Sequence, residues 1–435
     1  MTYQTEHLKH FELAKKLREL HYQRVMTARE QGKLLVTGGA NMLWELLEGL
    51  GEYEALEGEP YGAIVAHYPE LASVTAEATD SSGYGRDVCA YIRSYWGSMF
   101  LNRSPWGEFP KPDFAAHFYT SHCGGQEKWY RVLSEHLDVP YFVMDYPTLK
   151  ARNGVITPKQ VERYIPYLAS QFNDFIEWAE KLTGRKYDDE KLIQAIINKR
   201  RCQMLWGQIC ELQETVPAPL NARQMFNLII PRVHWSTRKE GVDFHETLLE
   251  EVQDRVARGI ASLPEEKGRF IHDFVPPYVA MDILRHLEAY GAVLVSSMYV
   301  FNWGYGIRDD RTWGPVDPFG DLGHPPRNRE EALKHMAFWE ILREPWLNMF
   351  SPELKMGYYV DMVERYKCDG VIFHINRGEV GGVLGLLDSR YALKQKGIPC
   401  LVYEASASDK RDVDIVKVVD GIDAFMESLG MKKLA

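Results

Sequence analysis

Two cysteines stand at places in the sequence where a thiolate could bind a metal. Cys89 lies in GRDVCAYIRSYWG, where a loop runs into a predicted helix, and Cys123 lies in FYTSHCGGQEKWY, directly after a predicted strand. Open α/β sheets bind ligands at the carboxyl ends of strands and the amino ends of helices, and a helix N-terminus stabilises a thiolate. A lone cysteine is more often a small buried residue, and no C-x-x-C spacing indicates a zinc ribbon or a ferredoxin-type cluster. Ligation and burial therefore both stay open for these two residues.

The other four cysteines fit a structural role better. Cys202 and Cys210 are eight residues apart, which places them on one helix face two turns from each other, too far apart to share a metal ion. Cys368 and Cys400 flank predicted strands and are expected to pack there. Six cysteines in a long intracellular chain are not expected to form a disulfide framework.

Two further side chains could take part in chemistry. His374 lies on the apolar strand VIFHIN, where a hydrogen-bonded buried histidine is the commoner role and a proton donor is the alternative. Arg93 follows Cys89 by four residues on the same helix face. It could offset the negative charge of a thiolate-bound cluster, or it could pair with a surface acid.

Alternating strands and helices must position these residues. GKLLVTGGANMLWELLEGLG predicts a strand, a glycine turn and an amphipathic helix, and VPYFVMDYP predicts a strand closed by proline. Such alternation is typical of parallel sheets covered by helices on both faces. The sequence therefore predicts an α/β fold with two doubly wound, mainly parallel-sheet domains and an intervening helical segment.

The predicted domain boundaries follow from where the periodicity changes. Beyond about residue 156, apolar residues recur every three or four positions and no strand pattern appears for about a hundred residues. Strand patterns resume with RFIHDFV and continue to GIPCLVYEA. We predict an N-terminal helix over residues 1–30, a first α/β domain over 31–155, a helical domain over 156–265 and a second α/β domain over 266–435.

The composition is that of a soluble globular chain. Its 435 residues exceed what one hydrophobic core usually organises, and 45% of them are hydrophobic and 26% charged. A formal net charge of −10 argues against a nucleic-acid-binding surface. No apolar run approaches the ~18 residues of a membrane span, and the first residues lack the pattern of a signal peptide. We therefore expect a cytoplasmic protein that binds neither nucleic acid nor membrane.

Longer segments of the chain resemble one family. In order and spacing, the sequence is similar to the benzoyl-CoA reductase / 2-hydroxyacyl-CoA dehydratase family in the segments VTGGANMLWELLEGLG, DVCAYIRSYWG, TSHCGGQEKWYRVLSE, VPYFVMDYP, CDGVIFHINRG and KQKGIPCLVYEASASDKRDVDIVKVVDGIDAFMESLG. The resemblance spans most of the chain outside the helical segment. It implies a [4Fe-4S] cluster held by cysteines at three separated points, two of which correspond to Cys89 and Cys123.

At the third point this sequence departs from the family pattern. Glu379, in HINRGEVGG, stands where family members usually carry cysteine. A carboxylate oxygen can bind iron, although it is a harder ligand than a thiolate and would alter the potential of the cluster. Three hypotheses follow: Glu379 is an unusual ligand, another cysteine takes its place, or the cluster is missing or held by two cysteines. We expect a cluster on Cys89 and Cys123 with Glu379 at or beside the iron.

The resemblance also bears on the residues before Glu379. Asn376 and Arg377 belong to an Asn-Arg pair that resembles the reductase subunits and some dehydratase subunits. It implies that these two side chains polarise or orient the substrate thioester. Capping and salt bridging at a turn between strand and helix is the equally open alternative.

The activity that the resemblance implies is single-electron chemistry on an acyl-CoA. The end of the chain, from HINRG to IDAFMESLG, looks closer to the larger catalytic subunit of ATP-dependent benzoyl-CoA reductase than to a dehydratase subunit. That reductase is an enzyme of anaerobic aromatic degradation that reduces an aromatic thioester. The alternatives are a subunit of a 2-hydroxyacyl-CoA dehydratase using ketyl radical chemistry, and a cluster-poor structural partner. Two partners are implied: a homologous iron–sulfur subunit and an ATP-hydrolysing activator with its own [4Fe-4S] cluster. No G-x-x-x-x-G-K-[ST] pattern occurs, so ATP would be used only through the activator.

Overall fold

Two parallel sheets form the framework of the protein. The computed structural model describes residues 2–118, 123–147, 156–344 and 351–434. The strands are β1 Leu34–Gly38, β2 Tyr53–Glu57, β3 Phe114–Phe118, β4 Tyr141–Met144, β5 Gly268–His272, β6 Ala292–Ser296, β7 Gly306–Ile307, β8 Trp313–Gly314, β9 Gly370–Asn376 and β10 Cys400–Ala405. The first sheet has the order β2-β1-β3-β4 and the second the order β10-β9-β5-β6, and a short β7-β8 pair lies outside both.

Helices make up most of the remaining described chain. They are α1 His10–Thr27, α2 Glu45–Glu48, α3 Gly58–Val65, α4 Pro69–Ser81, α5 Ala90–Phe100, α6 Gly124–Leu137, α7 Pro158–Thr183, α8 Asp189–Glu211, α9 Ala222–Leu228, α10 Ile230–His234, α11 Lys239–Arg258, α12 Asp282–Glu288, α13 Met298–Phe301, α14 Arg329–Leu342, α15 Pro352–Arg365, α16 Val380–Val383, α17 Leu386–Gln395 and α18 Ile415–Ser428.

Every neighbouring pair of strands within the two large sheets is parallel. Five strands, namely β2, β3, β5, β6 and nearly all of β9, are buried along their length, as expected where helices cover both faces. The prediction of two mainly parallel sheets is therefore confirmed. In a parallel sheet all strands end at the same edge, so the segments that follow β1 and β2 gather there.

Helices fill the segment between the sheets. Within the described residues 156–265, the regular elements are the helices α7 to α11 and one 3₁₀ turn. Thr157 begins α7 with a capping box, in which its hydroxyl accepts from the backbone of Gln160 while the Gln160 side chain accepts from the Thr157 backbone. The late helix α14 packs against α7 and α8 and shares a hydrophobic core with the first sheet. The domain boundaries at residues 155 and 265 remain predictions.

The segment after β9 packs directly against the backbone of the segment before α5, at a position where only a glycine fits. Gly378 adopts φ +76, and a Cβ built on it would lie 2.7 Å from the backbone carbonyl oxygen of Val88. Only glycine meets both requirements at this position. The residues that follow in each segment, Cys89 and Glu379, are thereby brought next to each other.

Two sequence expectations concern the remaining surface. Among the described residues, no helix combines the length and the apolar character that a membrane span requires. The stretch from Trp303 to Trp313 was expected to contact a partner, because Trp and Arg anchor interfaces. That expectation is wrong for its two tryptophans, since Trp303 is 8% exposed and Trp313 only 2%. Both side chains pack into the hydrophobic core of this chain.

Candidate functional site

The three predicted ligand residues each stand at the N-terminus of a helix. Cys89 is the N-cap residue of α5, Cys123 of α6 and Glu379 of α16. The carboxylate of Glu379 accepts a hydrogen bond from the backbone N–H of Gly382 at 3.0 Å. A helix N-terminus presents unpaired N–H groups and a positive dipole end, so each of these side chains is in a position that favours its anionic form.

The structure brings the three side chains into electrostatic contact. Burial, the charge of Glu379 and the neighbouring thiol of Cys123 raise the pKa of Cys89 well above its usual range. Burial and Glu379 raise the pKa of Cys123 to about 12. Burial likewise raises the pKa of Glu379 to about 7. Each of the three acidic groups is thus buried, and the charge of Glu379 acts on both thiols.

This donor set fits an iron–sulfur cluster. Two thiols and a carboxylate are iron ligands in their deprotonated forms, and bound iron would lower the pKa values that burial raises. The helix N-termini behind the ligands suit a cluster of net negative charge. Cys89 and Cys123 come from the first sheet's loops and Glu379 follows β9 of the second sheet, so such a cluster would lie between the two sheets.

A carboxyl group next to Cys123 had no sequence signal. Glu59 follows β2 and accepts a hydrogen bond from the backbone N–H of Ala40 at 2.8 Å, and Gln126 donates to its other oxygen. Burial raises the pKa of Glu59, and its charge in turn contributes to the raised pKa of Cys123. A carboxyl group fixed at both oxygens beside a thiol can hold a proton at a defined position.

Three buried tyrosines interact with one another, and one of them, Tyr91, is influenced by Cys89. The hydroxyl groups of Tyr91, Tyr278 and Tyr299 perturb one another, and burial raises the pKa of Tyr278 to about 12. The pKa of Tyr91 is raised by burial and these tyrosines, with contributions from Cys89 and Glu379. These residues come from three distant segments, so only folding brings them together. They supply an aromatic wall with phenol donors next to the thiol.

The loop after β5 is held in a strained conformation. Phe274 has φ 60, a value that bulky residues rarely adopt. A Cβ at Gly382 would lie 2.5 Å from the ring of Phe274, so the ring packs directly on the start of α16. Backbone strain of this kind is concentrated at ligand sites, and here it fixes the loop that carries Tyr278.

A buried ammonium group stands behind Glu379. The Lys355 side chain is fully buried, donates to the carbonyl oxygen of Gly382 and lies 4.0 Å from Asp273. Burial raises the pKa of Asp273 to about 6, which Lys355 partly offsets. Lys355 also lowers the pKa of Glu379 against the larger effect of burial.

His374 lies inside the second sheet's core. Its Nδ1 is 2.5 Å from the carbonyl oxygen of Val275, and its ring stacks on Tyr403 at 4.8 Å between centroids. Burial lowers the pKa of His374 to about 4, so the imidazole is neutral at pH 7. The imidazole is placed to donate from Nδ1 to the Val275 carbonyl oxygen, and the backbone of Ala405 also interacts with the ring. Its catalytic role remains a prediction.

Asn376 and Arg377 take different directions from the end of β9. Asn376 is buried, its amide oxygen accepts from the backbone N–H of Ala407 at 2.8 Å, and its side chain lowers the pKa of Glu379. Arg377 is half-exposed and pairs with Glu404 and Asp412, each at 3.0 Å. Asn376 therefore stabilises the ionised carboxylate of Glu379, while Arg377 makes the salt bridges that the alternative, structural role predicts.

Arg93 pairs with carboxylates. Its buried guanidinium lies 2.7 Å from Asp80, 2.8 Å from Asp409 and 3.4 Å from Asp412. These acids come from α4 and from the segment before α18. The contacts of Arg93 thus join the first sheet's helices to the C-terminal segment, and its action on a cluster stays a prediction.

The fold is that of an α/β protein with two parallel sheets, in which two thiols and a carboxylate stand at helix N-termini. Within that class, the chain belongs to the 2-hydroxyglutaryl-CoA dehydratase D-component family, whose model matches residues 53–429.

Individual relatives are dehydratase subunits. The chain is 24% identical to the (R)-2-hydroxyisocaproyl-CoA dehydratase alpha subunit of Clostridioides difficile over 82% of this chain and 81% of that protein. It is 24% identical to the (R)-phenyllactyl-CoA dehydratase alpha subunit of Clostridium sporogenes over 95% and 96%. The beta subunit of the latter enzyme is 23% identical over 62% of this chain and 66% of its own length. These relatives favour the dehydratase alternative over the benzoyl-CoA reductase interpretation.

Proposed function

We propose that this protein is one subunit of a 2-hydroxyacyl-CoA dehydratase, a lyase that removes water from a 2-hydroxyacyl thioester of coenzyme A. The family match over residues 53–429 and the names of the relatives support the reaction class. The observation that carries the proposal is the meeting of Cys89, Cys123 and Glu379 at three helix N-termini in a chain of this family.

These three residues would hold a [4Fe-4S] cluster, which supplies single-electron transfer to the acyl-CoA when bound. The surrounding side chains prepare the cavity. Tyr91, Tyr278 and Tyr299 exclude water from the thiol side of the site, which protects a reactive species from quenching. Asn376 and the Gly382 N–H orient the carboxylate of Glu379.

Glu59 is the group best placed to move a proton in this subunit. Ala40 and Gln126 hold its two oxygens, and burial raises its pKa, so it can carry a proton closer to neutral pH than a free glutamate can. Elimination of water requires proton transfer at the substrate, and Glu59 offers a fixed carboxyl group beside Cys123 for it.

We further propose a homologous subunit as the partner. The chain is similar to both an alpha and a beta subunit of one dehydratase, so a pair of related chains is the assembly that its relatives suggest. An apolar surface directly after Glu379 suits this contact: Val380, Leu387 and Tyr391 are 75%, 73% and 67% exposed. An ATP-hydrolysing activator with its own [4Fe-4S] cluster remains part of the proposal through the family resemblance.

The test is an anaerobic assay of the full chain with its homologous subunit and activator. We expect loss of water from an (R)-2-hydroxyacyl-CoA such as the phenyllactyl or 2-hydroxyisocaproyl thioester. Reduction of benzoyl-CoA without dehydration would replace the proposal with the reductase interpretation. Absence of both activities, together with absence of iron from the purified chain, would favour a cluster-poor structural subunit.

A further inference from the structure

A second group of metal-ligating side chains lies away from the cysteines. His21 is on α1, Glu57 ends β2 and His234 ends α10. All three side chains are buried, and each offers a ligand atom within 4.8 Å of the other two. A cavity of about 10 Å³ adjoins them, which is about the space of a single water molecule or ion.

The contact between His21 and Glu57 does not have the geometry of a hydrogen bond. The His21 Nε2 and Glu57 Oε2 atoms are 3.1 Å apart, yet both are buried atoms without a hydrogen-bond partner. Buried polar atoms normally have partners, because an unpaired one costs about 1–3 kcal/mol. Two ligands about 2.1 Å from one tetrahedral metal ion would stand roughly 3.4 Å apart. The observed separation of 3.1 Å is close enough to this for both atoms to bind a common ion.

His234 completes the arrangement. Its Nδ1 is 2.9 Å from Glu57 Oε1, its Nε2 is buried without a partner, and its ring stacks on that of His21 at 3.8 Å. Two imidazolium rings would repel each other at this distance, so the pair cannot carry two protons beside one carboxylate.

We propose that His21, Glu57 and His234 bind a divalent transition metal ion, Zn²⁺ or Fe²⁺, separate from the cysteine site. Two histidines and one carboxylate form ligand sets for both ions. The hydroxyl group of Tyr22 is also buried without a hydrogen-bond partner, and the Tyr22 ring lies edge-on to that of His21 at 5.0 Å between centroids. Because the ligands come from α1, β2 and α10, the ion would join the N-terminal helix and the helical segment to the first sheet.

Metal analysis of the anaerobically purified full chain tests this proposal. We expect about one zinc ion per chain, or about one iron in excess of the acid-labile sulfide that counts cluster iron. In the double variant His21→Gln with His234→Gln, the content of this metal ion per chain should fall about tenfold or more. The matched control His245→Gln should keep it, since His245 is buried in α11 with its Nδ1 2.6 Å from the Gly241 carbonyl oxygen.

Two further arms keep the result decisive. The double variant Cys89→Ala with Cys123→Ala should retain the ion; its loss there would assign the metal to the cysteine site and overturn the proposal. After removal of metal by a chelator, Zn²⁺ alone should raise the thermal midpoint of the wild-type chain and leave that of the histidine double variant unchanged. The proposal would also be overturned if the wild-type chain contained no stoichiometric extra metal and its thermal midpoint did not respond to Zn²⁺. This measurement uses only the wild-type chain, so it tests the proposal even if the histidine variant does not fold.

Discussion

At the scale of single residues, the central question is whether two thiols and a carboxylate act together. Burial raises the pKa values of Cys89, Cys123 and Glu379, and the charge of Glu379 adds to the increase at both thiols. All three residues lie where helix N-termini favour anions. A buried group of acidic side chains is stabilised either when its members keep their protons or when they bind a cation. A structural cysteine such as Cys400, whose sulfur contacts only a backbone carbonyl oxygen at 3.6 Å, has no such neighbours.

The first prediction follows from that contrast. Replacing Cys89 or Cys123 with Ala should remove the iron and the broad visible absorption of the anaerobically purified chain, because each substitution deletes a ligand. Iron, sulfide and absorbance are measured together. The control Cys400→Ala should retain all three, and full iron content in both site variants would refute the ligand assignment.

Glu379 gives a second, separable prediction. Glu379→Gln keeps the shape of the side chain but removes its charge, so the iron should stay while the reduction potential of the cluster shifts and turnover falls. Redox titration followed by electron paramagnetic resonance measures the potential. An unchanged potential and rate would mean that Glu379 only caps α16 through its bond to Gly382.

His374 leads to a pH prediction. Burial lowers its pKa from 6.5 to about 4. Between these two pH values His374 is therefore protonated in the unfolded chain and neutral in the folded chain. Stability from this residue is therefore present above pH 6.5 and is lost as the pH falls toward 4, at about 1.4 kcal/mol per unit. His374→Gln should unfold with a weaker dependence on pH in urea titrations at pH 5 and 7. Exposed His136→Gln is the control, and parallel slopes for His374→Gln and wild type would contradict the assignment.

At the scale of elements, Arg93 connects parts of the chain that are far apart in sequence. It extends from α5 to Asp409 and Asp412, which precede α18, and these two acids are almost fully buried. Buried charges of this kind are costly when one partner is removed. The network therefore holds the C-terminal segment against the helices that carry Cys89.

We predict that Arg93→Met lowers the free energy of unfolding by about 1–3 kcal/mol, because it removes the buried cation that the three carboxylates share. Other arginines still pair with each of these carboxylates, so the loss is smaller than for an isolated buried charge. Denaturant unfolding of the metal-free chain measures the change. The control Arg131→Ala removes an exposed pair with Glu135 and should leave the stability nearly unchanged. If Arg93→Met is as stable as this control, the three aspartates are neutralised in another way.

At the scale of the whole molecule, the surface after Glu379 indicates where a second subunit binds. Leu387 and Tyr391 are one turn apart on α17, and Val380 and Leu384 continue the apolar surface toward the candidate site. A partner there would cover the edge of the site from which Glu379 reaches the cysteines. The tryptophans at 303 and 313 cannot do this, because the core of the chain already buries them.

The double variant Leu387→Asp with Tyr391→Asp should therefore abolish co-purification with the homologous subunit while the chain itself stays folded, because buried aspartates at an interface are strongly unfavourable. Sedimentation of the mixed subunits measures the loss. The matched control Val416→Asp changes a side chain that is 71% exposed on α18 and should leave the complex intact. An intact complex with the double variant would move the interface elsewhere.

The sequence by itself determined the features that depend on neighbouring residues. Period-two and helical patterns predicted two parallel sheets with helices between them, because the buried faces of a strand or helix can be recognised from residues that are close in the sequence. The positions of Cys89 and Cys123 before helices were equally readable, since a strand end and a helix start each span only a few residues.

Only the tertiary structure decided which distant residues meet. Glu59 beside Cys123, the three tyrosines near Cys89, and the group of His21, Glu57 and His234 each combine segments whose separation along the chain carries no pattern. The same holds for Trp303 and Trp313, whose types suit an interface or a core equally well. Side-chain type limits what a residue can do, but its neighbours set its solvent exposure, charge and partners, and those neighbours are fixed only when the sheets pack together.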